Sequence, residues 1–584
     1  MSRRWPTLLA WLALLAGPGA WAQEDLQQAL ADELERSIRQ LKLNAEQGPY
    51  FVEYRVEESR SLQLKASFGG ISRRYRNRSR SGSVQVRVGD YKLDSSLVPR
   101  FGQAGTMHRY YPPNNFRLPL DDDYGAVRRA FWLATDLAYK RALEDYSVKL
   151  ADTQVTVDRD GLVDFYSAEP AQVEELADPP PADEAALTEL VVNLSNSLAA
   201  FDELHESAVW VSVVYRDVHY VNSEGSRFRR QVPDITWGAI ARTQAPDGAV
   251  LWDFDRVRRR NLDQLPPAAE LQERVQRLGQ RLTEARSADR IDNYVGPVLF
   301  ENQAAAVLFA NVFATQLQSV PRMVASEPSV RPWIRDLQER EQRFGRKIGA
   351  RVLPRGTQLV DDPTRDAFEG LPLVGTFAID DEGVPARPKT LVDDGRLKQI
   401  LSTRVPMFGT TESSGNNRGG FPMPGNLVLS SNVAADANER QLLLEELRID
   451  AGTDYVLVIE RLADSQAQRQ LESMQSMAVF NYGNRLPEAL VVWRVYPDGR
   501  RERVRNLSIE PFAVREFRRL EAVGDDPYVH SVTPPFPSGG VFLTGVRGRL
   551  EPVSYVVPSL LFEELSVADS KVMDQRPPVL SRPE

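Results

Sequence analysis

A chain of 584 residues is too long for one hydrophobic core and points to several domains of about 150 residues each. With 42% hydrophobic and 26% charged residues it has the balance of a folded protein, and a formal charge of -9 speaks against a general nucleic-acid binder. There is no cysteine and there are only four histidines, which excludes disulfides and thiolate nucleophiles and leaves a zinc site few ligands to draw on.

Residues 1–22 read as an export signal. Arg3 and Arg4 precede an apolar centre, and Ala20-Trp21-Ala22 is a small-x-small cleavage site. The expectation is an exported bacterial protein, periplasmic or secreted. No later apolar run reaches spanning length, so no membrane span is expected.

The rest predicts an α+β fold: an N-terminal mixed region with antiparallel sheets and long helices, and a β-rich C-terminal region built around a buried strand-helix unit. The expected divisions are an N-terminal domain over 23–178, a middle domain over 179–294, a C-terminal domain over 295–568 and a disordered tail over 569–584. Residues 25–43 predict an amphipathic helix through Leu26, Leu30, Leu34, Ile38 and Leu41. Period-two alternation predicts strands over 50–56, 62–68 and 84–88, with a break at Gly69-Gly70. Between them Arg74, Arg76, Arg78 and Arg80 share one strand face, read as a solvated face rather than a phosphate patch.

Residues 124–150 predict a long helix with Val127, Phe131, Ala134, Ala138 and Ala142 inward, and Asp121 to Asp123 suit its positive end. The Pro179-Pro180-Pro181 run reads as a linker, followed by a helix over 183–201. Strands follow over 208–254, turning at 222–225 and 246–248, and then a charged helix over 266–286.

Residues 296–317 anchor the second half. Pro297 to Phe300 suits a buried strand, and Ala305, Leu308, Phe309, Val312, Phe313 and Leu317 then fall at helical spacing. Ala304, Val307, Ala310 and Ala314 make the other side nearly as apolar, so the helix must be covered on most sides. Glu301 and Asn302 are the polar pair at the junction. Asn302 suits a helix cap with Glu301 at the positive end; alternatively the junction is, or once was, an active site.

Downstream, residues 333–349 predict a charged helix, and strands are expected over 373–378, 389–392 and 397–401. The carboxylates at 380–382 and 393–394 sit where turns need Asp and Gly, so turn chemistry accounts for them. Thr410 to Gly420 lacks periodicity and predicts a mobile loop. Strands over 425–430 and 455–462 flank a helix over 439–447, a hairpin turns at 497–499, and 540–565 closes the fold. No phosphate loop, dinucleotide fingerprint or G-x-S-x-G elbow is present, so residue chemistry alone assigns no reaction.

Four stretches in order carry a resemblance: G-P-V-L-F-E-N-Q-A-A-A-V-L-F at 296–309, F-A-I-D-D-E-G-V-P through L-K-Q-I-L-S-T-R at 377–404, S-G-N-N-R-G-G-F-P-M-P-G-N at 414–426, and L-E-P-V-S-Y-V-V-P-S-L-L-F-E-E-L at 550–565. Together they resemble the TldD/PmbA family, once described as modulators of DNA gyrase and now as metallopeptidases. The resemblance implies dimers acting on extended peptides, with H-E-x-x-x-H at a strand-to-helix junction and a distant Cys holding zinc. Laid onto that motif, Glu301 and Ala306 take the His positions and Asn302 the Glu position. One carboxylate, one carboxamide and one methyl group cannot supply three zinc ligands, so no zinc is expected.

The resemblance therefore implies a non-catalytic branch: a protein that binds or positions peptides, as a homodimer or paired with a motif-bearing subunit. Gly415, Asn416, Asn417, Arg418 and Asn426 are the expected peptide-binding wall. Two alternatives stay open, an active peptidase with a non-standard site or an interface metal, and an envelope scaffold without enzymatic activity.

Overall fold

A computed structural model describes residues 18–42, 47–98, 115–153, 163–177, 181–291, 293–318, 323–324, 329, 331–341, 344–474, 487–509, 512–534 and 551–569. Helix α1 (Pro18–Gln40) leads into a long hairpin of β1 (Pro49–Ser67) and β2 (Gly70–Val88), and β3 (Asn115–Arg117) adds to its edge. The two strands expected over 50–56 and 62–68 are one. The polar run between them does not break the ladder, because Glu58 faces Arg80 and pairs with it and with Arg78 across the hairpin.

Helix α2 (Tyr124–Thr153), β4 (Gln172–Glu175), α3 (Glu184–Ser197), β5 (Glu206–Asn222), β6 (Arg227–Gln244), β7 (Val250–Arg259) and α4 (Ala268–Ser287) complete the first half. The sheet order is β3-β2-β1-β5-β6-β4, with β7 on β6. Strands β1 and β5 pair along most of their length, so the segments expected as separate N-terminal and middle domains share one sheet. Successive side chains alternate between its faces. On one face Val52, Tyr54 and Val56 pack with Leu30, Val127 and Phe131, while Leu64 and Ala66 pack with Val191, Leu194 and Leu278. The helix pairs α1–α2 and α3–α4 thus cover opposite ends of that face. The other face carries Glu53, Arg55, Arg216, Arg230 and Arg258 and meets the second half of the chain.

Gly238 marks how closely this sheet is packed. It lies opposite Trp210, and a Cβ there would come within 2.3 Å of the indole. Gly238→Ala is expected to destabilise the protein by about 1–3 kcal/mol through overpacking, read as a lower urea midpoint with an unchanged slope.

The second half holds β8 (Asp289–Arg290), β9 (Tyr294–Phe300), α5 (Asn302–Leu308), α6 (Arg331–Glu341), β10 (Thr357–Asp361), β11 (Ala367–Phe368), β12 (Leu371–Pro372), β13 (Lys389–Asp393) and β14 (Arg396–Leu397). It continues through β15 (Asn417–Arg418), β16 (Phe421–Pro422), β17 (Asn426–Ser431), α7 (Ala437–Ala451), β18 (Val456–Leu462), α8 (Ser465–Met474), β19 (Ala489–Val495) and β20 (Arg501–Arg505). The last strands are β21 (Leu507–Ile509), β22 (Leu520–Val523), β23 (Tyr528–Val532), β24 (Val553–Val557) and β25 (Leu560–Asp569).

Beside the two-stranded ribbons β11-β12 and β15-β16, two large sheets result, ordered β21-β25-β9-β18-β19-β20-β8, with β22 on β25, and β14-β13-β10-β17-β24-β23. Helix α5 is held between them, against β18 of one and β23 and β24 of the other. Ala304 through Leu308 are accordingly all buried, as a helix apolar on every side requires. The whole is an α+β fold. No strand forms over 373–378, where Val374, Phe377 and Ile379 are buried in irregular chain instead. Among the described residues no helix is long and apolar enough to cross a membrane. Residues 1–17, 535–550 and 570–584, which include most of the expected signal and tail and the first part of the expected closing segment, lie outside those described.

Candidate functional site

Strand β9, an inner strand between β25 and β18, ends at Phe300 and α5 begins two residues on, so Glu301 and Asn302 form the turn at its C-terminal end. Glu301, not Asn302, is the cap residue. Its backbone is extended (φ -118°, ψ 160°), its side chain caps nothing, and its carbonyl accepts from Ala304 N at 3.0 Å. Asn302 is exposed with φ +51°, the left-handed region that asparagine tolerates better than most residues. Burial pushes the Glu301 carboxyl up, helped by Glu460 nearby and opposed by Arg501. Ala306 is fully buried in the core.

What pins the junction is a residue the sequence did not single out. Gln303 donates its amide to Leu462 O at 2.8 Å and accepts from Leu462 N at 2.9 Å, closing a two-bond clasp on the irregular end of β18. The helix then changes pitch to a π-turn over Phe309–Phe313, a form often found beside functional sites.

The stretch 415–426 corrects the expectation of a mobile loop. Asn416, Asn417, Arg418 and Asn426 are buried, and Gly415 is buried beside them with φ +67°. Asn416 donates to Asp361 Oδ2 at 2.8 Å and Asn426 to the Asp362 and Arg365 carbonyls. Arg418 donates to the Pro424 and Pro552 carbonyls, has no ion-pair partner among the described residues, and lies over the Phe377 ring. Desolvation lowers its guanidinium to about 10. The side-chain hydrogen bonds of Asn416, Arg418 and Asn426 thus run to groups inside the fold. No described hydrogen bond or ion pair links them to the Glu301–Asn302 turn.

The loop instead leans on the carboxylates at 380–382. Turn chemistry holds there, since Asp380 Oδ1 accepts from Glu382 N and Val384 N. Asp380 Oδ2 also accepts from Asn417 N, and Asp381 Oδ2 from Gly419 N. All three carboxylates are buried. Asp381 Oδ1 takes Arg55 Nη1 at 2.7 Å and Arg230 Nη2 at 2.6 Å from the N-terminal sheet. Arg404 makes a two-bond pair with Glu224, and Arg216 does so with Glu551. Burial and the neighbouring Glu382 push the Asp380 carboxyl up, whereas Arg55 and Arg230 hold Asp381 down against the same burial. This network joins the two halves of the chain; sequence reading missed it because the partners stand 150 residues or more apart.

A zinc ion asks for three good donors converging from one side. The turn offers a half-buried carboxyl, a carboxamide exposed on a left-handed residue, and a methyl group sealed in the core, so these residues do not fit the ion. Among the described residues no group of three or more His, Asp and Glu is arranged to hold a metal.

The family profile described as the PmbA/TldA metallopeptidase C-terminal domain matches residues 293–482, from the start of β9 to beyond α8. A metalloprotease of Archaeoglobus fulgidus is 35% identical over 105 residues, 18% of this chain and 23% of the relative. Two solved structures cover 94% of this chain and all of their own: a candidate DNA gyrase modulator of Thermotoga maritima (16% identity, TM-score 0.58) and TldE of Thermococcus kodakarensis (16%, 0.56). Residues 293–482 thus carry the C-terminal domain of the TldD/PmbA family. At such low identity the solved structures show that the TldD/PmbA fold extends across the chain. The sequence match itself spans less than a quarter of the curated relatives, including a Methanothermobacter thermautotrophicus metalloprotease matched over 15% of its length. This TldD/PmbA-like chain is thus related to metallopeptidases, with Glu301, Asn302 and Ala306 at the junction that opens the matched domain.

Proposed function

We propose that the protein is an exported, non-catalytic TldD/PmbA subunit that binds extended peptide and partners a motif-bearing metallopeptidase, as part of proteolysis. The observation that carries this reading is the donor set of the β9–α5 turn, where a core methyl at Ala306 and a left-handed, exposed Asn302 leave Glu301 without a second ligand. The ordered strand-to-helix turn, closed by the Gln303 clasp, supports a reading in which the architecture is kept without the metal chemistry. Peptide recognition through backbone hydrogen bonds needs no particular side chains, which suits a wall whose asparagines and arginine are already engaged. Dimerisation with a second family member and export through residues 1–22 belong to the same proposal.

The test is metal content and oligopeptide hydrolysis of the purified chain, alone and with any H-E-x-x-x-H-bearing protein that co-purifies from the native source. No stoichiometric zinc and no hydrolysis alone, with activity in the companion complex, is the expected result. Zinc-loaded chain that cleaves peptides unaided overturns it. The raised Glu301 carboxyl beside Glu460 is the one feature that favours the alternative of an active peptidase, since a perturbed acid in a polar turn suits general acid-base work. Glu301→Ala separates the two: hydrolysis by the complex is expected to persist, and its loss with folding intact would make Glu301 catalytic.

A further inference from the structure

The arginine run of β2 has no part in the junction or in the buried network. From Gly70 to Ser79 both faces of β2 are exposed, and on the side away from β1 no described strand pairs with it; β3 reaches only Ser81 to Ser83. Which backbone groups are left open follows from one bond. Leu118 N donates to the Arg80 carbonyl from the outer side. In an antiparallel ladder a residue's N–H and C=O point the same way and alternate residues point oppositely. The register to β1 is regular from Arg73 to Arg87, so Arg74, Arg76 and Arg78 also turn their N–H and C=O groups outward. The outward backbone groups and the four-arginine stripe therefore belong to the same residues.

Those side chains are only partly neutralised. Arg74 and Arg76 share Glu184 at the start of α3, and Arg78 shares Glu58 with Arg60 and Arg80. Arg74, Arg76 and Arg78 remain 56%, 73% and 45% exposed, and Arg73 adds a further charge on the opposite face. Each guanidinium carries five donors, so one shared carboxylate leaves capacity for a second. A second copy of this edge would set arginine against arginine, which disfavours self-pairing.

The geometry points to the outer edge of β2, Arg74 to Arg78, as a docking strand for an extended acidic polypeptide bearing Asp or Glu at every second position. Such a chain would complete the backbone ladder while its carboxylates, on the same face and opposite Arg74, Arg76 and Arg78, meet the arginines. A polypeptide is favoured over nucleic acid or lipid because only a peptide backbone offers donors and acceptors in the spacing that the edge leaves open. This surface is separate from the β9–α5 turn, and the inference stands whether or not the chain is catalytic.

The experiment is fluorescence anisotropy of the full chain with a labelled alternating Glu-Thr peptide, a peptide of the same composition with its glutamates in one block, a DNA duplex and phosphatidylglycerol vesicles. Two variants divide charge from backbone. Arg76→Gln removes the charge alone; Arg76→Pro also removes one outward N–H without touching the bonds to β1. The alternating peptide is expected to bind best, to protect the amides of residues 70–80 from hydrogen exchange, and to bind Arg76→Pro about ten-fold more weakly than Arg76→Gln. Far-ultraviolet circular dichroism and the urea midpoint confirm that both variants fold; should Arg76→Pro fail there, amide protection in the wild-type chain decides. Equal binding of the two peptides, equal loss in both variants, tighter binding of DNA or vesicles, or no binding at all would overturn the inference and leave the arginines as guards against edge pairing.

Discussion

Asp381→Ala is expected to cost about 3–5 kcal/mol of stability, because it strips the shared carboxylate from two buried guanidinium groups at once. Arg55 and Arg230 both reach Asp381 Oδ1, from β1 and β6, and Gly419 N binds the other oxygen. Alanine leaves Arg230, 3% exposed, and Arg55, 13% exposed, without their shared carboxylate and removes an anchor of the 415–426 loop. Arg230 keeps one bond, to Ile379 O, and Arg55 keeps Glu57 at 3.3 Å, neither of which replaces the ion pair to the C-terminal half. Urea unfolding of the full chain measures the loss, and a second transition would report the halves separating. The combined variant Arg55→Met/Arg230→Met/Asp381→Leu is expected to recover most of it, since replacing a buried ionic cluster whole is far milder than breaking it. A loss below about 1 kcal/mol in the single variant would mean that the cluster behaves as a solvated surface pair.

That network also marks where the sequence stopped being readable. Elements whose signal is local came through: α2 from its inward stripe, the turn at Gly69 from its glycine pair, and the β9–α5 unit because a helix apolar on all sides has only one place to go. The carboxylates at 380–382 were legible as a turn, which they are, but nothing local says that the turn is buried under a sheet laid down 150 residues earlier. The strand expected over 373–378 failed for a related reason. Leu373, Val374, Phe377 and Ile379 are buried by tertiary packing, while Val374 N donates to the Ser554 side chain, Gly375 N to the Asn426 side chain, and Leu373 N and Phe377 N to the Asp366 and Pro363 carbonyls rather than to a ladder.

A signal for the network did exist. Strands β1, β5 and β6 carry apolar residues on one face and Glu53, Arg55, Arg216 and Arg230 on the other. Solvent would be met as well by Lys, Thr and Ser, so long arginines interleaved with glutamates on a sheet's second face mark a surface that something else covers. The same reasoning distinguishes Arg74, Arg76 and Arg78 of β2, which have few carboxylates to spare and stay exposed among the described residues. The Glu301–Asn302 turn was found from sequence by its place between strand and helix, but its left-handed residue and its clasp by Gln303 depend on the end of β18 and leave no local trace.

Lowering the pH from 6.5 to 4 is expected to weaken the protein through two buried histidines. His219, in β5 beside Gln27 and Asp217, and His530, in β23 beside Asp464, are both held at about 4, chiefly by desolvation of the charged ring. In the unfolded chain they titrate near 6.5, so between those values the unfolded state binds more protons than the folded one and stability falls with pH. Each histidine contributes up to about 3 kcal/mol over that window at full effect. The raised carboxyls of Asp361, Asp380 and Glu382 act the other way, gaining protons in the folded state first, so the wild-type profile alone mixes opposite slopes. The difference between wild type and the His219→Gln/His530→Gln variant isolates the histidines, because glutamine does not titrate. Urea midpoints measured across the range should show the variant losing less stability than wild type on acidification, with the gap opening below pH 6.5 and levelling near 4. Below that, Asp464, held at about 2 against its own burial by Arg256 and by His530, takes up its proton next. Parallel profiles for the two proteins between 6.5 and 4 would show that these rings are reached by water and titrate as free histidines do.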